Sequence, residues 1–165
     1  DYIIWIREGF NMAIRNIVKE GDEVLKKVCR PVDRFDDHLK QLVQDMKDTL
    51  TKANGLGLAA PQVGVLRRLF VMLDEDGQTM VTCVNPEIVK TSGSQQANEG
   101  CLSVPGVWGV TNRPAKVTVK AYDENGNPFE MTRTGITAVC ICHETDHLDG
   151  ILFREHVVEY FEPED

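Results

Sequence analysis

The 165-residue sequence predicts an α+β fold in which antiparallel or mixed sheets pack around a central helix. Three observations carry that expectation. An amphipathic helical segment comes early, short β-rich runs fill the middle, and a second helix-periodic segment near the end turns histidines as well as apolar side chains inward.

The first helix rests on Leu39, Leu42, Val43, Met46, Leu50 and Ala53, which recur at helical spacing. Asp36 and Asp37 offer an N-cap and Asn54-Gly55 a stop, which sets the helix at residues 38–53. Strands are expected at Leu69 to Leu73, Met80 to Val84 and Val117 to Tyr122. The last of these alternates and leads through Asp123-Glu124-Asn125-Gly126 into a further strand near Phe129, which is an antiparallel pattern. Ile136, Val139, Cys140, His143 and His147 then recur on one helical face, with Thr134 before them and Gly150 after them, predicting a helix over 135–149.

Length and composition bound the rest. The chain is long enough for one buried core, and 42% hydrophobic with 27% charged residues is an ordinary globular balance. Met12 opens a segment, MAIRNIVKEGDEVLKK, that reads as a natural start. Residues 1–11 are therefore read as an extension, natural or vector-derived, and 12–165 as a single domain. A formal net charge of -8 and a pI near 5.0 exclude a phosphate-tracking surface, so nucleic acid is not an expected ligand. No stretch approaches the ~20 apolar residues that span a bilayer, so no membrane partner is expected. Five cysteines without framework spacing point to reduced thiols and a cytoplasmic setting, with an organellar origin, its transit peptide removed, as the alternative.

The strongest chemical signal is His143-Glu144-Thr145-Asp146-His147. Two histidines four apart on a helix lie one above the other, roughly 6 Å along the axis, and can share a metal ion with Glu144 beside it. Two hydrogen-bonded core histidines would give the same spacing. A catalytic site needs a third protein ligand, and Cys101 in Glu99-Gly100-Cys101-Leu102-Ser103 is the best candidate: the glycine permits close backbone approach and no hydrophobic periodicity accounts for the thiol. Cys29, Cys83, Cys140 and Cys142 read instead as small buried apolar residues. Gly55-Leu56-Gly57-Leu58-Ala59-Ala60-Pro61-Gln62 lacks the lysine ending of a phosphate loop and precedes a strand, but Gln62 would place an amide donor where an oxyanion develops.

Together, GLGLAAPQ at 55–62, EGCLS at 99–103 and HETDH at 143–147 resemble the peptide deformylase family in motif, order and spacing, from about Met12 to about Glu159. The resemblance implies hydrolysis of the formyl group from the N-terminal methionine of nascent polypeptides, with release of formate. It also implies one divalent metal, Fe2+ first and Zn2+, Ni2+ or Co2+ as alternatives. On that basis the ligands fall on Cys101, His143 and His147, proton transfer on Glu144, and oxyanion stabilisation on Gln62 and the backbone N–H of Leu102. Ile136, Val139 and Cys140, one to two turns before His143 on its own face, are expected to wall a methionine pocket. Gly57 and Leu58 are expected to pair with the peptide backbone. Arg113 aligns with a family arginine near the substrate.

Two departures stand out. Cys142 occupies a position where the family commonly carries glutamine, and the chain ends Tyr160-Phe-Glu-Pro-Glu-Asp165 where a basic helix can serve transient ribosome contact. Two other readings stay open: a peptidase or other helix-motif metallohydrolase, which more often takes a His or Glu as third ligand, and an inactive metal-binding homologue, for which Glu144 and Gln62 have no purpose.

Overall fold

The computed structural model describes residues 13–164, and the extension read over 1–11 lies outside the described residues. Helix α1 is Asp37–Ala53. Asp36 Oδ1 accepts from the Leu39 N–H at 3.0 Å, and Asn54, in the left-handed region at φ 56°, returns its N–H to the Leu50 and Thr51 carbonyls. Both ends are thus set by the residues expected to set them. Its buried face comprises Leu39, Leu42, Val43, Met46 and Leu50, each contributing roughly 2 kcal/mol of burial.

Eight strands follow the described chain: β1 (Gly57–Ala59), β2 (Leu69–Leu73), β3 (Met80–Ser92), β4 (Gln95–Cys101), β5 (Val104–Arg113), β6 (Lys116–Tyr122), β7 (Pro128–Thr134) and β8 (Val157–Phe161). They form a five-stranded sheet in the order β1-β2-β3-β6-β7 and a three-stranded sheet in the order β4-β5-β8, antiparallel at every paired strand. One expected boundary is corrected: β3 runs on to Ser92 instead of stopping at Val84, through two register shifts, and residues 95–113, for which the sequence predicts no strand, form the β4-β5 hairpin. Polar, glycine-rich segments such as Gln95 to Gly100 give no alternating signal, because their strand state comes from the partner.

Helix α2 (Gly135–Leu148) packs against both sheets. Leu69 and Val71 of β2 join α1 in one core, while Phe70 and Met72 join Ala138, Cys140, Ile141, Cys142 and Leu148 of α2 in the other. β2 is therefore buried on both faces, which is why it reads as an unbroken apolar run. Thr134 sits at the N-cap of α2, yet its hydroxyl makes no capping bond. The far end is pinned more firmly: the Leu148 carbonyl accepts from Cys29 N–H at 2.8 Å and Arg68 Nη1 at 3.1 Å.

Gly150 completes that end. It holds φ 75°, and a Cβ there would meet the Lys26 carbonyl oxygen at 2.4 Å, a backbone atom that cannot swing aside. Gly150→Ala is expected to cost at least about 2 kcal/mol, from the left-handed conformation plus the clash. Urea unfolding measures it, and an unchanged midpoint would contradict this packing.

Candidate active site

Cys101 ends β4, and Leu102 and Ser103 turn the chain into β5. The ladder shifts register between Glu99 and Cys101, just before the chain turns into β5. His143 and His147 reach the same point from α2. One donor atom from each of the three residues lies within 4.8 Å of the others, and Cys101 Sγ is 3.4 Å from His147 Nε2. Both imidazoles are buried. Burial first, and His143 second, depress His147 to about 3, so it is neutral and its lone pair is available. His143 Nδ1 is 2.8 Å from Glu99 Oε1; burial pulls the His143 pKa down, but Glu144, Cys101 and Glu99 outweigh it and raise it well above the usual value, so a metal taken up at Nε2 would displace a proton there while Nδ1–H stays on Glu99.

Glu99 is itself held. Arg113 donates to it through Nε at 2.7 Å and Nη2 at 3.0 Å, and the Thr111 hydroxyl donates as well. Burial pushes the Glu99 carboxyl up, but bonds from His143, Arg113 and Thr111 outweigh it and bring it down to about 2. Arg113 Nη1 continues to Asp146 Oδ2 at 2.9 Å, and His156 Nε2 meets the same oxygen at 3.1 Å. Arg113, expected near the substrate, directs its guanidinium to Glu99 and Asp146. Its guanidinium is buried between two carboxylates and lies off the pocket wall, where it braces a carboxylate that orients His143.

Glu144 lies one residue along the helix, 3% exposed, with Oε1 lacking a hydrogen-bond partner among the described residues. Burial raises its carboxyl to about 7, near the value suited to exchanging protons at neutral pH. Gly57 faces it so closely that a Cβ there would meet Glu144 Oε2 at 2.6 Å and Cys140 Sγ at 2.8 Å. Gln62 is fixed from both ends of its amide: Oε1 accepts from Ala59 N–H at 2.9 Å, while Nε2 donates to Ser103 Oγ at 3.1 Å and lies 3.6 Å from Cys101 Sγ. Ser103, which the sequence did not single out, therefore aims the amide.

A cavity of about 390 Å³ opens beside these groups. Gly57, Gln62, Cys101, Leu102, Ile136, Val139, Cys140, His143 and Glu144 all line it, whereas the Leu58 side chain is buried in the α1 core. Val139 and Cys140 are deep, and Ile136 is exposed at the rim. Because β1 is an edge strand, one backbone edge of Gly57 and Leu58 faces away from β2.

A family profile for polypeptide deformylase matches residues 14–161. The chain belongs to that family. A peptide deformylase of Caldicellulosiruptor bescii is 51% identical over 93% of this chain and 92% of its own length. The crystal structure of a Legionella pneumophila peptide deformylase superposes with a TM-score of 0.85 at 48% identity, covering 88% of this chain and 86% of that one. An Acinetobacter baumannii peptide deformylase solved with Met-Ala-Ser bound gives 0.83 at 34% identity, over 88% of this chain and 99% of that one. The enzyme is a metal-dependent hydrolase that removes the N-formyl group from the N-terminal methionine of nascent polypeptides.

The residues present fit such a metal. A thiol and two imidazoles converge, one imidazole is held neutral, and the other is oriented by a carboxylate behind it. Cys142 is buried in the helix core, its thiol pushed up to about 11 by burial, so it adds no ligand. Among the described residues no helix is long and apolar enough to cross a membrane.

Proposed function

We propose that Cys101, His143 and His147 hold one divalent ion, ferrous iron in the native enzyme, with zinc, nickel or cobalt accepted by the same donors. Bound there, the ion would supply Lewis acidity toward water and the formyl carbonyl. Glu144 carries the reading: its buried carboxyl near pKa 7, with one unpartnered oxygen beside the three donors, suits a group that must both take and return a proton. It removes a proton as the water oxygen bonds to the formyl carbon, then delivers it to the nitrogen as the C–N bond breaks. Formate and a free α-amine result. Gln62 Nε2 and the Leu102 N–H stabilise the carbonyl oxygen as it becomes negative.

The methionine side chain fills the cavity between Gly57, Ile136, Val139 and Cys140, while the peptide lies extended along the free edge of β1. The Acinetobacter relative was solved with Met-Ala-Ser bound, a peptide of the same chemical class as the proposed product. Residues 12–165 act as one catalytic domain. Five free thiols favour the cytoplasm, where the enzyme meets nascent chains. Ribosome contact through an electrostatic surface would lie away from β8 and the residues after it, where Glu159, Glu162 and Glu164 offer nothing to an RNA-rich partner.

The metal assignment is tested by chelation. Anaerobic removal of metal should abolish formate release, and one equivalent of Fe2+ should restore it, with metal content measured by plasma emission. His147→Ala should retain less than a tenth of the bound metal. Full activity in protein verified metal-free would overturn the assignment.

A further inference from the structure

The rim of the cavity is apolar where a rim facing water is ordinarily polar. Three of the nine large hydrophobic side chains exposed among the described residues, Leu56, Trp108 and Ile136, all line this one pocket, at 50%, 39% and 67% exposure. They come from three separate segments: the turn before β1, strand β5 and the first turn of α2. Exposed apolar side chains gathered around one opening mark a contact surface.

Trp108 has a built seat. A Cβ on Gly100 would meet its six-membered ring at 2.7, 2.8 and 3.0 Å, so the indole lies against the strand one residue before Cys101, a position only glycine permits. The ring is thus anchored on one side and open on the other. Pro105 and Val107 extend the same wall.

We propose that Trp108, with Leu56, is a specificity-determining contact for the residue that follows the formyl-methionine, selecting a large apolar or aromatic side chain there. This rests on the substrate pose proposed above. Successive side chains of an extended peptide point to opposite sides, so a methionine directed into the cavity sends the next side chain out to its mouth, where the rim residues stand. An anchored indole offers that side chain a flat partner, and aromatic pairs gain beyond simple area burial.

The test compares formyl-Met-Phe-Ser with formyl-Met-Ala-Ser on the metal-loaded enzyme. The wild type should favour the phenylalanine peptide, and Trp108→Ala should reduce that preference ratio in kcat/KM roughly three- to tenfold, mainly through KM. Trp108→Phe, which keeps a ring on Gly100, should restore most of it. Calorimetric binding of the product Met-Phe-Ser should weaken in parallel with KM, and thermal melting shows whether each variant is folded. No preference in the wild type, or an equal effect of Trp108→Ala on both peptides, overturns the proposal while leaving deformylation intact. Failure of the wild type on both peptides would instead overturn the catalytic assignment and this proposal with it.

Discussion

Glu144→Gln should lower kcat by roughly 10⁴, about 5.5 kcal/mol of transition-state stabilisation, while leaving the fold and metal content close to wild type. The amide matches the carboxylate in shape but can neither take a proton from water nor return one to the departing nitrogen. Glu144 is almost fully buried beside Gly57 and Cys140, and the other carboxylate lining the pocket, Glu99, is held in place by His143, Arg113 and Thr111. Gln62→Ala should be the milder lesion at roughly 10² to 10³, since it removes one donor and leaves the proton path in place. Single-turnover rates at matched metal content separate the two. A Glu144→Gln enzyme within tenfold of wild type would remove Glu144 from the chemistry.

Arg113→Ala should destabilise the protein by about 3–5 kcal/mol at neutral pH, far more than loss of a surface arginine. The substitution strands Glu99 in the interior without its cation, and no water replaces two charge-assisted bonds at such depth. The pH dependence has a definite sign. Glu99 is held down at about 2 in the folded protein against an ordinary value of 4.5, so its contribution to stability is present above 4.5 and lost as pH falls toward 2. Removing Arg113 raises the folded-state value, and the gap between variant and wild type should narrow as pH drops through that window. Metal affinity should fall 10- to 100-fold as well, because the brace behind His143 loosens. Urea unfolding at several pH values checks this, and a loss under about 1 kcal/mol at pH 7 would show that Glu99 is not held as described.

Much of this architecture was legible because its signals are local. The limits of α1 were written in Asp36 and Asn54, and the spacing of His143 and His147 placed two donors on one face of α2. Cys101 was legible by elimination, since the other four cysteines sit among apolar neighbours and the structure buries all four.

What escaped the sequence is non-local. β1 is three residues inside a glycine-rich loop and exists as a strand only because it pairs with β2. Strand β4 of the β4-β5 hairpin carries glutamine, asparagine and glycine where an isolated strand would carry β-branched residues. Arg113 gave no sign that Glu99 and Asp146, 14 and 33 positions away, would enclose it. Likewise the seat of Trp108 on Gly100 follows from strand pairing that motif spacing does not encode.

The most direct test of the account is formate release from formyl-Met-Ala-Ser by anaerobically prepared, iron-loaded enzyme, run beside acetyl-Met-Ala-Ser and unblocked Met-Ala-Ser. Formate from the formyl peptide, with the acetyl peptide and every internal peptide bond left intact, is the predicted result. Cleavage of a peptide bond, or no formate with metal demonstrably bound, would contradict it.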